Sequence, residues 1–195
     1  MNNKLVEYIA QFPSLNEEET KAIAEKITVR TFSKGTILLK EGEIHDKCYF
    51  VLKGCVRQYY LVDGEEKTTA FFTEEQSVVS FANYTARMPS NHYLSCVEDC
   101  TLIVGDFQIE QAMYEQFPKL QAITRAMMEQ DFGRTQEALA RFITSSPEER
   151  YVNLLTTRPE LVQRVPQHQL ASYLGVTPES LSRIRKRAAL KKGVH

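Results

Sequence analysis

Apolar residues recur along this chain in three successive rhythms. Up to about residue 28 they fall at helical spacing. From Val29 to about residue 107 they come in short runs broken by turn residues. From Pro118 onward the helical spacing returns. The first rhythm predicts helices over residues 3–12 and 16–28. Asn16 serves as the N-cap of the second. Glu17, Glu18 and Glu19 then lie at the positive end of its dipole, and Ala22, Ile23 and Ile27 form the apolar stripe. The second rhythm is a series of strands punctuated by Lys34-Gly35, Glu41-Gly42-Glu43, Lys53-Gly54 and Asp63-Gly64. Asp63-Gly64, between QYYLV and KTTAFF, is a strong two-residue hairpin signal. Strands recur through HYLSCVEDCTLIVGDF. Short strands at regular spacing with glycine turns predict a sandwich or a barrel-like roll.

Asp106 closes the strand region and caps a short helix over residues 108–116. A long helix follows from Pro118 to about Thr144, carrying Leu120, Ile123, Met127, Phe132, Leu139 and Phe142, with only Gly133 inside. Leu120, Ile123 and Met127 give about two turns of apolar seam, the spacing of a helix that pairs with its own copy. Beyond them the seam has to accept Gln130 and Arg134, so the heptad pattern is incomplete. Ser146-Pro147-Glu148-Glu149 reads as a capping box that starts a new helix, which Arg158-Pro159 breaks.

Residues 166–187, PQHQLASYLGVTPESLSRIRKR, read as two short helices joined by a tight turn. Leu170, Ala171 and Leu174 anchor the first, and Leu181 and Ile184 the second. Gly175 sits where the first helix must stop and reverse. Thr177 is a good N-cap for the second, Pro178 stands at its first position and Glu179 in its first turn. This is helix-turn-helix chemistry. Ser180, Ser182, Arg183, Lys186 and Arg187 remain for the surface of the second helix, as donors to phosphates and base edges. Gln167 and His168 open the first helix and add candidate phosphate contacts.

Charge sharpens this picture. Residues 1–146 hold 15 lysines and arginines against 21 aspartates and glutamates, a net −6; residues 147–195 hold 9 against 4, a net +5. An acidic front and a basic rear fit a sensing domain joined to a nucleic-acid-binding one. With 43% apolar and 25% charged residues the composition is that of an ordinary soluble domain. No apolar run is long enough to span a bilayer, and MNNKLVEYIAQF lacks the layout of a signal peptide. Cys48, Cys55, Cys96 and Cys100 are accordingly expected to be reduced thiols in the cytoplasm, in most cases small buried apolar groups.

Taken in order, KGTILLKEGE, YFVLKGCVRQYY with its Asp63-Gly64 hairpin, VEDCTLIVGD and LASYLGVTPESLSRIRK resemble the Crp/Fnr family, the catabolite-activator-like bacterial transcription regulators. The resemblance covers nearly the whole chain. It implies an α+β fold: N-terminal helices, an antiparallel β-roll (double-stranded β-helix), a long dimerisation helix, and a C-terminal helix-turn-helix domain. The domains are expected at 1–117, 118–145 and 146–195. It further implies a homodimer on double-stranded DNA, with RNA polymerase and an unknown small-molecule effector as further partners, no membrane and no cofactor.

Two departures accompany the resemblance. Nucleotide-binding members carry a phosphate cassette in which Gly-Glu opens a short helix and Arg, a small hydroxyl residue and Ala close it. Counted back from VEDC, the Gly-Glu positions fall on Ser80 and Phe81, and the Arg position on or near Asn91, followed by His92 and Tyr93. Phe cannot accept from a ribose hydroxyl and Asn cannot neutralise a phosphate, so cyclic AMP is not expected to bind in the usual way. Ser80, Phe81, Tyr84, Asn91, His92 and Tyr93 are the candidate ligand-pocket residues. The second departure is the wing. Only eight residues follow Arg187, too few for a β-hairpin, so Lys186, Arg187, Lys191 and Lys192 would carry the phosphate contacts.

Rival readings leave weaker traces. A cupin-like metal enzyme needs a His-x-His pair with a following Glu and a third His, whereas His45 and His92 stand alone in separate segments. No nucleophile elbow or glycine-rich phosphate loop is present, so no catalytic residue and no metal site are assigned. A ligand-sensing module whose helix-turn-helix makes only protein contacts is the other alternative.

Overall fold

The computed structural model describes residues 3–44, 47–79 and 88–192. It divides into two compact units: residues 1–57 with 71–132, and residues 58–70 with 133–195.

The first unit opens with α1 (Asn3–Ile9) and α2 (Glu17–Lys26). Asn16 caps α2 as its sequence predicts. Its Oδ1 accepts from the Glu19 amide at 2.8 Å, and Glu19 Oε2 accepts from the Asn16 amide at 2.9 Å. Both helices are shorter than the apolar spacing suggests. Residues 10–15 form a turn around Pro13, and Thr28 has already entered the first strand.

The strands are β1 (Thr28–Phe32), β2 (Ile37–Leu39), β3 (Lys47–Lys53), β4 (Val56–Val62), β5 (Glu65–Phe72), β6 (Ser77–Val78), β7 (Tyr93–Cys96) and β8 (Cys100–Asp106). They form two four-stranded sheets, in the orders β1-β8-β3-β6 and β2-β7-β4-β5. β8 pairs antiparallel with both β1 and β3, placing Tyr49 opposite Val104 and Thr31 opposite Thr101. This is the expected roll. Strand alternation sorts its side chains into two cores. Val51, Val56, Val78, Leu94 and Leu102 point inward and are almost wholly buried. Leu52 and Ile103, one residue along, point outward onto Ile9, Ile23 and Met113 of the helices. Each set removes apolar surface from water, at roughly 25 cal/mol per Å².

α3 (Phe107–Gln116) leaves the roll with Asp106 as its cap, whose Oδ1 accepts from the Ile109 amide at 2.9 Å. α4 (Pro118–Thr144) follows, 27 residues long with no buried residue.

In the second unit the β4–β5 turn has φ of 53° at Asp63 and 78° at Gly64, the left-handed pair that a two-residue hairpin requires. Four helices complete the unit: α5 (Pro147–Thr157), α6 (Pro159–Arg164), α7 (Gln167–Leu174) and α8 (Pro178–Lys192). Leu161, Leu170, Ala171, Leu174, Leu181 and Ile184 form its buried centre. Ser172 of α7 is bonded to the hairpin at two points: its Oγ accepts from the Thr68 amide and donates to the Glu66 carbonyl, both at 2.9 Å. α8 does not stop near Arg187 but continues to Lys192.

The α5 capping box forms as read. Glu149 accepts from the Ser146 amide at 2.8 Å and from its hydroxyl at 2.7 Å. These bonds, the amide's first, hold the Glu149 carboxyl below the usual carboxylate range. A depressed folded pKa contributes stability above the unfolded value and loses it as pH falls. Ser146→Ala is expected to lower protection of the first α5 amides by about 1 kcal/mol in hydrogen exchange. Glu149→Gln should flatten the acid-side loss of that protection, referenced to the intrinsic rate at each pH. Unchanged protection in both variants would show the cap to be idle.

Candidate nucleic-acid interface

The turn between α7 and α8 sets the interface. Gly175 has φ 71° and ψ 34°, in the left-handed region. Its amide donates to the Ser172 carbonyl at 3.1 Å, and the Val176 amide to the Ala171 carbonyl at 3.0 Å. That is a Schellman ending, and it satisfies carbonyls that the helix leaves unbonded. Thr177 then restarts the chain, its Oγ1 accepting from the Ser180 amide at 3.2 Å.

Behind the turn stands Arg150 of α5, which sequence reading missed. Its Nε donates to the Phe142 carbonyl at 2.9 Å and its guanidinium to the Leu174 carbonyl at 3.1 Å. The guanidinium also stacks 3.7 Å from the centre of the Phe142 ring. One cation therefore ties the end of α4 to the end of α7. The only sequence trace of this is an arginine just after a capping box.

On α8, Leu181, Ile184 and Ala188 are buried, so one stripe of the helix is spent on the core. Helical spacing puts Glu179, Ser182, Arg183 and Lys186 on the opposite side, and all four are exposed. Arg183 donates to Ser180 Oγ at 3.0 Å, which draws the guanidinium toward the start of the helix. The Glu179 carboxyl is held below the usual range, first by its own backbone amide, then by the Thr177 hydroxyl and the Arg183 charge. The flanks are used internally. Arg187 forms an ion pair with Glu148 of α5 at 3.3 Å, and Arg185 bonds Gln167 of α7. Arg185 was not among the expected contacts. Gln167, whose side-chain oxygen accepts from Arg185, and His168 are both exposed at the start of α7.

The other candidate residues are elsewhere. Ser80, Phe81 and Tyr84 lie outside the described residues, as does His45. Asn91 Oδ1 is 3.1 Å from His92 Nδ1; His92 is 2% exposed, and burial holds its pKa below the ordinary histidine value. Tyr93 begins β7 and is half-buried. Leu120, Ile123 and Met127 of the expected seam turn toward their own chain, with Leu120 against the Ile9–Ile23 cluster. The large apolar side chains that α4 leaves outside are Phe132, Leu139, Phe142 and Ile143. Cys55, Cys96 and Cys100 are buried, and Cys48 is half-buried. The hydrogen bond between Cys96 and Cys100 pushes the Cys96 thiol up, with burial adding, and the Cys100 thiol down. Among the described residues no group of three histidine, cysteine or acidic side chains is placed to hold a metal, and no helix is long and apolar enough to cross a membrane.

Residues 29–116 match the family model of the cyclic nucleotide-binding domain. The chain is similar to the transcriptional activator protein Anr of Pseudomonas protegens, at 23% identity over 88% of this chain and 75% of that protein. It is 24% identical to the anaerobic regulatory protein of Haemophilus influenzae, over 88% of this chain and 71% of the other. Among solved structures it shares the fold of the c-di-GMP responsive global regulator CLP of Xanthomonas campestris. The TM-score there is 0.70 at 18% identity, covering 92% of this chain and 95% of that one.

Replacing Gly175 with alanine forces a Cβ into left-handed backbone and within 3.2 Å of the Arg150 guanidinium. Gly175→Ala should cost about 1–2 kcal/mol. Arg150→Met, which leaves two carbonyls without their donor, should cost about 2 kcal/mol. Protection of α7 and α8 amides in hydrogen exchange reads both. Arg150→Lys should not restore it, since an ammonium cannot reach both carbonyls and cover the ring.

Proposed function

We propose, for this transcription regulator of the Crp/Fnr type, that the exposed face of α8 bearing Glu179, Ser182, Arg183 and Lys186 enters the major groove of double-stranded DNA. The observation that carries the reading is the division of charge around α8. Arg185 and Arg187 are held by contacts within the unit, while Arg183 and Lys186 face outward with no acidic partner among the ion pairs described. Arg183, steered by Ser180, suits the bidentate contact to guanine O6 and N7. Glu179 suits cytosine N4. Lys186 and the amino end of α7, around Gln167 and His168, suit phosphates.

The same reading makes the protein a homodimer. Phe132, Leu139 and Ile143 are 64%, 59% and 70% exposed, and their spacing of seven and four puts them on one stripe of α4. Exposed apolar side chains in such a row favour a second copy of the same helix. Pairing along this stripe, rather than along Leu120, Ile123 and Met127, leaves those three free to pack inside their own chain. Paired α4 helices would present two α8 helices to half-sites about one turn, ~34 Å, apart. The proposed place of action is the cytoplasm, and RNA polymerase is the proposed further partner. The roll is assigned to sensing rather than catalysis. Its cassette positions lack the Gly-Glu pair and the arginine that would hold a cyclic phosphate.

Selection of bound sequences from random duplex DNA should return an inverted repeat. Against that repeat, Arg183→Ala should lose roughly 1–3 kcal/mol and relax preference at one base pair, while Lys186→Ala should weaken all sequences alike and reduce the salt slope by about one. Equal losses on selected and random DNA for Arg183→Ala would remove its base-reading role. Leu139→Glu with Ile143→Glu should shift sedimentation toward monomer and weaken binding to the repeat with it. Calorimetry with cyclic AMP should show no micromolar binding.

A further inference from the structure

The first unit holds a half-open cavity of about 200 Å³ outside the roll, between the outer face of β3 and β8 and helices α1 to α4. Val51, Leu94 and Leu102, which fill the strand interior, do not line it. Its walls are unusually rich in rings and thioethers: Tyr8, Phe12, Phe50 and Tyr114, with Met113 and Met127. A dry apolar cavity of about 150 Å³ is large enough to take benzene. This one is larger, and its rings are set for edge and tilted stacking. Tyr8 lies 4.6 Å from Phe50 and 5.4 Å from Phe12, centre to centre.

One polar group in it is poorly satisfied. The half-buried Tyr8 hydroxyl donates to the Met127 sulfur at 3.4 Å, and a thioether is a weak acceptor. Burial, with the Glu75 and Asp131 charges adding, pushes this phenol up, so it stays a donor. On another wall the Tyr114 hydroxyl is already engaged, donating to Glu110 at 2.5 Å. That carboxylate disfavours an anionic guest. We infer that this cavity is a binding site for a small uncharged aromatic molecule carrying one acceptor oxygen, stacked among the rings and accepting from Tyr8 in place of Met127. Such a guest bridges α1 and the first half of α4, which lines the cavity through Leu120, Ile123 and Met127. The site is independent of how α8 reads DNA, so its test stands whether or not DNA binds.

The test uses the full chain labelled with ¹³C at the methionine methyls, titrated with acetophenone and with ethylbenzene. Acetophenone should bind saturably, moving the Met113, Met127 and Met128 signals and leaving Met88 in place. It should bind roughly two- to tenfold tighter than ethylbenzene, the margin of one hydrogen bond, and Tyr8→Phe should abolish that margin. Ile103→Phe and, independently, Ile123→Phe fill the space and should each weaken acetophenone at least about tenfold. Three results each overturn the inference: no saturable shift up to the solubility limit, undiminished affinity in a folded cavity-filling variant, or a shift confined to Met88. Tighter binding of decanoate, displacing acetophenone, overturns the aromatic class in favour of an acyl chain. Anisotropy of labelled DNA, measured on the same samples, reports separately on the regulator reading.

Discussion

The arrangement of α7 and α8, and with it the proposed DNA-reading face, depends on one buried-end constraint, the satisfaction of the α7 carboxyl terminus. A helix that reverses within two residues leaves carbonyls pointing at its neighbour. Each is expensive to leave unbonded. Here the Gly175 and Val176 amides take two of them, and the Arg150 guanidinium takes the Leu174 carbonyl. Because Arg150 also holds the Phe142 carbonyl and ring, the bonds that close the turn also fix where α4 ends. The angle between α7 and α8 is therefore not set by the turn alone. It is set by a cation whose position α5 determines, and α5 is placed by its own capping box at Ser146 and Glu149.

The charges on α8 follow the same economy. A helix of this composition has more cations than one exposed strip can hold. Those at the flanks, Arg185 and Arg187, are absorbed by Gln167 and Glu148 and help to hold α8 on α7 and α5. Surface pairs of this kind contribute little stability, of order 0–1 kcal/mol. Their larger effect is orientational, since they leave Arg183 and Lys186 as the outward cations. Net charge alone would have counted all four as DNA contacts.

Much of this was legible in the sequence because local chemistry decides it. The Asp63-Gly64 turn, the Asn16 and Ser146 capping boxes, the Asp106 cap, the Gly175 stop and the Thr177 restart each depend on residues within a few positions of one another, and each formed where its signature lies. What escaped depends on distant partners. Nothing in the local pattern around Arg150 names Phe142 and Leu174 as its acceptors. The Ser172 bonds to Glu66 and Thr68 join positions more than a hundred residues apart. The apolar spacing of Leu120, Ile123 and Met127 is correct for a half-buried stripe, but periodicity gives a face without saying what covers it. Here α1 and the outer side of the roll do so.

That ambiguity explains why α4 carries no buried residue despite its apolar content. The helix changes sides. Leu120, Ile123 and Met127 lie on one face. Phe132, Leu139 and Ile143, by the 100° advance per residue, lie nearly opposite. A helix that only covered a sheet would keep one face throughout, and a helix that only paired with its copy would keep one seam. The face changes near Gly133: the first half of the helix walls a cavity with a weakly satisfied phenol, and the second half carries an exposed row of apolar side chains. Two different coverings, one along each half, account for the broken heptad better than a single seam would, and the second half closes two residues beyond the Phe142 that Arg150 binds.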